Sequence, residues 1–527
     1  MSQAGLPLTS AKAPSTMVVS ADQLATQAGI GAMALGGNAV DAAIATNAVM
    51  AVVAPHLCGM GGDLLALVHD GTSVHALNAS GRAGSGGSSA ALRREGLTEI
   101  PFRHDPRSIT MPGCVDGWAA LHERFARLPL ATLFAPAIRL ADAGFPASPL
   151  LVAALDRLDE AGKEQLHELV GQASRPGERV RRPGVAAALD AVATKGRDEF
   201  YLGSFGDGLL QVGNGWFERS DLQISSAEWV EPLSAAAFGR ILYSIPPNSQ
   251  GYLLLGSALL ADALDLPTDP DDPQWAHLLI EAAKAAGRDR PQVLSDAADG
   301  ASLLEDISKR GGEIDPRKAT PITRRHIDGD TTYMSVVDDK RMAVSLIQSN
   351  ASNFGSWLVE PNTGINLQNR GTGFSVESGH PAEVLPGRKP PHTLAPALAT
   401  SEDGSISAVL GTMGGDAQPQ ILLQLAARLF HHGQSPAEAI NAGRWMLNGP
   451  VTGFDTWTSA GQPHVLVEGQ ASQAWPEGLR RRGHEVRSGA AYDSWFGHAH
   501  AILVDPATGM LTGACDPRTL VGSVAGT

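Results

Sequence analysis

Apolar positions along this chain fall into two kinds of run. Met17 to Ser20 (MVVS) reads as a short strand, and a helical run follows from about Asp22 until Gly36-Gly37-Asn38 supplies a stop and a new N-cap. Residues 39–53 predict a helix carrying Ala, Val, Ile and Met on every face, as suits a helix packed inside a protein. Gly59, Gly61 and Gly62 lead into LLALVHD (64–70), a strand that turns at Asp70-Gly71 and returns through SVHALNA as a hairpin. Residues 112–190 and 275–310 have helical spacing, and the Pro- and Asp-rich stretch 265–273 between them predicts a surface turn. From Thr331 the pattern changes. TTYMSVVD and MAVSLIQS predict strands joined by a charged turn at Asp338 to Arg341, with further strands at ISAVLGT and HAHAILVD.

A length of 527 residues exceeds what one growing core accommodates, so two lobes or one large layered domain are expected. With 43% apolar and 18% charged residues the composition is ordinary for a globular chain. A formal charge of −15 argues against a nucleic-acid partner. Cys58, Cys114 and Cys515 are widely spaced and form no C-x-x-C pair, so neither disulfides nor a zinc site is expected. Met1 to Ser15 lacks the apolar core of a secretory signal and is expected to be a flexible leader, with a cytoplasmic location as the default. The most apolar stretches, 39–53 and 252–266, carry charged or amide residues and are shorter than the roughly 20 residues of a membrane span. No membrane association is expected.

The motifs narrow the chemistry. GGNAVDAAIATNAVMAVVAPH (36–56), MPGCVDGW (111–118), APAIRLADAGFPAS (135–148), IPPNSQG (245–251), TTYMSVVD (331–338), GTMGGD (411–416) and CDPR (515–518) occur in an order that resembles the gamma-glutamyltransferase family over nearly the whole chain. The resemblance implies an α/β protein with the four-layer αββα N-terminal-nucleophile fold. It also implies a precursor that cuts itself between Asp330 and Thr331, giving a large subunit (16–330, after the leader) and a small one (331–527) that form one catalytic domain. Independently of any family, a threonine hydroxyl is a poor nucleophile until a base takes its proton, and a freed α-amine on the same residue lies within reach. With an unperturbed pKa of about 7.7 to 8.0, that amine is partly neutral near pH 7. On the resemblance, Gly414-Gly415 supply the backbone N–H groups for the oxyanion, and Ser349 stands where the family has a second hydroxyl beside the nucleophile.

Several positions depart from the family's γ-glutamyl pocket. In GINLQNRGTGFS (364–375) the ammonium-binding Asp falls on Gly373 and its Gln or Glu partner on Arg370, and the serine pair of the carboxylate site becomes His392-Thr393. The family's carboxylate-binding arginine aligns near Arg82 with a shift of about two residues, and the Asn after the second hydroxyl falls on Ala351 or, with a gap, on Asn350. A cation where an acceptor should meet an ammonium opposes a γ-glutamyl donor. Arg82, Arg370, His392 and Thr393 suit an acyl group that ends in a carboxylate and lacks the amine. The chain is therefore similar to the branch containing oxamate amidohydrolase and the cephalosporin acylases. The expected function is hydrolysis of an amide of a small dicarboxylic acid, oxamate-like or glutaryl-like, through an acyl-Thr331 intermediate and without metal or organic cofactor. The expected partners are the small amide and the two subunits of one precursor, and a homodimer is compatible. The alternatives are a γ-glutamyl hydrolase or transpeptidase acting on glutathione, and an uncut, non-catalytic homologue.

Overall fold

The structure is a computed structural model that describes residues 9–321, 331–448 and 464–527. Two seven-stranded antiparallel sheets lie face to face. The first runs in the order Ala11–Ala13, Leu511–Cys515, Ala499–Val504, Ile406–Thr412, Ala397–Thr400, Arg240–Ser244, Leu233–Ala237. The second runs Ser523–Gly526, Met17–Ser20, Thr332–Val337, Ala343–Ser349, Asp63–His69, Val74–Ala79, Glu228–Val230.

Period-two alternation sorts the side chains of each strand. Tyr333 and Val337 point between the sheets with Val19, Leu65, Ile347, Val409 and Ile502. Met334 and Val336 point outward against helices Gln23–Ala34 and Ala39–Val53. Both faces of these strands are covered, so the sequence shows unbroken apolar runs here rather than a polar alternation. On the other side Ala397, Ala399, Ala408 and Leu410 meet helices Gly251–Asp262, Pro273–Gly287 and Gln418–Ala426. The layers are thus α, β, β, α. Between the sheets the Tyr333 ring lies over Gly411, at which a Cβ would stand 2.1 Å from a ring carbon.

Most expected elements occur where the pattern placed them: the Met17–Ser20 strand, the fully buried Ala39–Val53 helix, the Asp63–His69 and Val74–Ala79 hairpin, and the paired strands after Thr331. Two expectations need correction. The leader does not extend to Ser15, because Ala11–Ala13 pairs with Leu511–Cys515 at the edge of the first sheet. The run 275–310 is broken into Pro273–Gly287, Arg290–Val293 and Gly300–Ser308. Among the described residues no helix is long and apolar enough to cross a membrane.

Candidate active site

Thr331 immediately precedes the strand Thr332–Val337, and Ser349 ends the strand paired with it. Their shared odd-numbered alternation turns both into the space between the sheets. Both are fully buried, and the Thr331 hydroxyl donates to Ser349 Oγ at 3.1 Å. Ser349 Oγ also accepts the Ala351 N–H at 2.8 Å and Arg370 Nη2 at 3.4 Å. Ala351 holds a φ of 74°, a left-handed conformation uncommon outside glycine, which bends the chain back so that its N–H reaches the serine. The neighbouring Asn350 turns its amide to the Pro55 carbonyl.

From Ser349 a continuous circuit runs to the glycine pair. Arg370 Nη1 donates to Thr393 Oγ1 at 3.1 Å. The Thr393 carbonyl accepts Gln250 Nε2 at 2.8 Å, and the same amide donates to the Gly415 carbonyl at 2.9 Å. Gly414 and Gly415 have φ of 136° and 53°, which only glycine adopts freely. They join the end of strand Ile406–Thr412 to the start of helix Gln418–Ala426. Among the described residues no group accepts from either glycine N–H, so two donors remain at the positive end of that helix. Asp416, next in the chain, pairs with the buried Arg290 at 3.1 Å and fixes the loop from the opposite side.

Electrostatics single out Arg370. It is buried, and the loss of solvent pushes its guanidinium down to about 10; Asp63 and Asp416 counter that effect while Arg290 adds to it. It stays charged at neutral pH. His392 behaves oppositely. Burial first, then Arg370, lower its imidazole to about 4, so the ring is neutral. Its Nε2 donates to Asp63 Oδ2 at 3.0 Å and its Nδ1 accepts the Leu394 N–H.

The structure therefore brings Thr331, Ser349, Arg370, Thr393, Gly414 and Gly415 together and leaves other expected residues apart. His392, expected to donate to the substrate anion, has both ring nitrogens occupied within the protein, because a buried carboxylate lies directly opposite. Arg82 is half-exposed and bound to Glu228 and the Gly387 carbonyl, outside the circuit. Gly373 is exposed and close to the chain, since a Cβ there would stand 2.7 Å from the Pro391 carbonyl oxygen. An aspartate could not be restored at Gly373 without moving backbone. Asp330 lies outside the described residues. Asp63, Gln250, Arg290 and Asp416 were not expected. Gln250 and Asp416 sit within the blocks IPPNSQG and GTMGGD, where a buried polar residue beside glycine was the available signal.

An αββα sandwich with a buried hydroxyl pair, one at the start of a strand and one at the end of its partner, is the arrangement of a hydrolase of the N-terminal-nucleophile fold. The gamma-glutamyltranspeptidase family matches residues 25–526, and the chain belongs to that family, as an enzyme of its hydrolase and transferase class. It is 36% identical to the oxamate amidohydrolase proenzyme of Klebsiella pneumoniae, over 97% of this chain and 98% of that one. It is 35% identical to the glutathione hydrolase-like YwrD proenzyme of Bacillus subtilis, over 95% and 97%. The crystal structure of cephalosporin acylase from Bacillus halodurans superposes with a TM-score of 0.90 at 32% identity, covering 100% of this chain and 98% of that one.

Proposed function

We propose that the chain cuts its own backbone before Thr331 and then hydrolyses an amide of a small dicarboxylic acid through an acyl-Thr331 ester. In the cut, the Thr331 hydroxyl oxygen attacks the Asp330 carbonyl carbon, the C–N bond breaks as the hydroxyl proton passes to the departing Thr331 amine, and water then hydrolyses the ester to the Asp330 carboxylate and the Thr331 hydroxyl. In turnover the amine takes the hydroxyl proton as Thr331 Oγ1 attacks the substrate carbonyl. The resulting oxyanion lies against the Gly414 and Gly415 N–H groups. Collapse breaks the amide C–N bond, the proton passes to the leaving amine, and water hydrolyses the ester to the free diacid.

The observation that carries this reading is the position of Arg370, whose guanidinium is one hydroxyl away from Thr331. Held by Thr393 and Ser349, it places a fixed positive charge beside the acyl site, which suits an acyl group that ends in a carboxylate. A carboxylate held there stands close to the carbonyl under attack, which favours a short, oxamate-like diacid. The same cation opposes the ammonium of a γ-glutamyl group. Two of the relatives, an oxamate amidohydrolase and a cephalosporin acylase, agree in kind.

Purified protein is expected as two fragments, the smaller beginning Thr-Thr-Tyr-Met. Thr331→Ala should remain one chain without amidase activity. A screen of oxamate, succinyl, glutaryl and γ-glutamyl amides should show turnover of the first three classes in preference to the last. Wild-type protein that is active while wholly uncut, or that prefers the γ-glutamyl amide, sinks the proposal.

A further inference from the structure

A second buried polar cluster lies outside the acyl site. Gln274, His277, Glu281 and Lys284 follow helical spacing along one face of Pro273–Gly287. This face meets two other segments. One is residues 315–320, which lead toward the proposed cut. The other is residues 482–484, just beyond helix Ala474–Arg481 in what the cut makes the small subunit.

The hydrogen bonds admit one consistent set of protons. The Asp315 carbonyl can only accept, so His277 Nε2, 2.9 Å away, carries the hydrogen. His277 Nδ1 then accepts from His484 Nε2 at 2.8 Å, and His484 Nδ1 accepts from the Lys284 ammonium at 3.3 Å. Lys284 also donates to Glu281 Oε1 and to the Thr320 carbonyl, both at 2.9 Å. Glu281 Oε2 accepts the Thr320 N–H at 3.0 Å, the Arg482 carbonyl accepts the Ala319 N–H at 2.7 Å, and Gln274 donates to the Pro316 carbonyl. His277, Glu281 and His484 could each turn one ligand atom to a shared ion, all within 4.8 Å of one another. A metal drawn there would meet the Lys284 ammonium already on the same carboxylate oxygen. Hydrogen bonding is thus the arrangement these side chains serve.

We propose that His277, Glu281, Lys284 and His484 form a docking site for residues 315–320 that keeps the severed end of the large subunit bound to the small subunit, and that acid opens it. The proposal rests on the cut before Thr331. Both imidazoles must be neutral for the site to close, because a further proton on either ring sets N–H against N–H. The charged groups facing the rings are Glu281, Lys284 and Arg482, and Asp315 turns its carboxylate away to the Arg317 N–H. Burial foremost lowers both imidazoles, and Lys284 helps bring His484 down to about 2. With docked values below the free value of about 6.5, docking is fully present above that pH and weakens as pH falls through and below it. At pH 5 protonation of His484 alone weakens docking by about thirtyfold, and His277 acts in the same direction.

The test is backbone deuterium exchange of Ala319 and Thr320 in the processed enzyme at pH 7.5 and 5.0, corrected for intrinsic rates. Protection at pH 7.5 that falls at least about tenfold at pH 5.0 is expected. The double variant His277→Gln/His484→Gln keeps an acceptor and a donor at each ring without titrating, and should retain protection at both pH values. Exchange that is unprotected at pH 7.5, or equally protected at both pH values in wild type, overturns the proposal. Should the double variant not fold, the wild-type pair of measurements decides alone. Zinc added to the wild-type enzyme should leave the exchange unchanged; stoichiometric zinc binding that depends on the two histidines overturns docking in favour of a metal site. Cleavage is read separately on a denaturing gel. Uncut Thr331→Ala should show the same protection, so failure of the cut and failure of docking remain distinct.

Discussion

Two arginines in this protein are equally removed from water and live in opposite electrostatic circumstances. Arg518, in the CDPR block, has its guanidinium filled by Glu468 at 2.7 and 2.6 Å and by Asp516 at 3.0 Å, while Arg444 holds the other oxygen of Asp516 at 2.6 Å. Burial opposes its charge, but Asp516 and Glu468 outweigh burial and raise its pKa above the ordinary arginine value. Arg370 contacts two hydroxyls, and burial wins there, drawing the guanidinium down to about 10. The first arrangement ties the chain together through paired charges. In the second, burial outweighs the attraction of Asp63 and Asp416, and the cation stands one hydroxyl away from Thr331, where the proposed acyl group would bind.

That contrast can be broken by experiment, and the largest effect belongs to Arg518. Arg518→Ala strands the buried Glu468, leaves Asp516 to Arg444 alone, and should lower folding stability by about 3–5 kcal/mol, read as a drop in urea midpoint. Arg370→Ala should disturb folding far less and instead cut kcat/KM for an amide bearing a free carboxylate by roughly ten- to hundredfold, about 1.5–3 kcal/mol, while a neutral amide is much less affected. Should Arg370→Ala destabilise the fold as much as Arg518→Ala and leave the substrate ratio unchanged, the two arginines are alike and the acyl-site reading fails. The smallest effect concerns His392, a buried base whose folded pKa of about 4 lies below its ordinary 6.5. Its contribution to stability is present above pH 6.5 and is lost as pH falls toward 4, at about 1.4 kcal/mol per pH unit. His392→Gln should flatten that part of the stability profile without moving the acid limb of kcat/KM.

How much of this could be read beforehand depends on the range of the interaction. The strands around Thr331 were legible because their apolar period reflects burial on two faces, and the Asp70-Gly71 turn because its chemistry is local. Thr331, Ser349, Arg370, Thr393 and the glycine pair could be placed because each lies in a compact block. His392 was misread for the converse reason: residue type gave a donor, but the carboxylate that occupies it, Asp63, is 329 positions away. Arg82 was likewise claimed by Glu228, and Gln250 acquires its role by bridging Thr393 and Gly415, distant segments that only the folded sheets bring together. The strand Ala11–Ala13 was missed because its partner lies at the far end of the chain.

One feature of the second sheet governs the life of the processed molecule. Thr332–Val337 and Ala343–Ser349 lie between Met17–Ser20 on one side and Asp63–His69 on the other, so strands from before and after the proposed cut are interleaved within the same sheet. The proposed cut would free an amine without releasing either piece. The connection that first threaded those strands would then be gone, and a denatured, cut molecule would be two polymers that must find each other again. Refolding of the cut form should therefore be second order and concentration-dependent, whereas the uncut chain folds as one body. A molecule so cut would depend on the slowness of its unfolding rather than on its capacity to return.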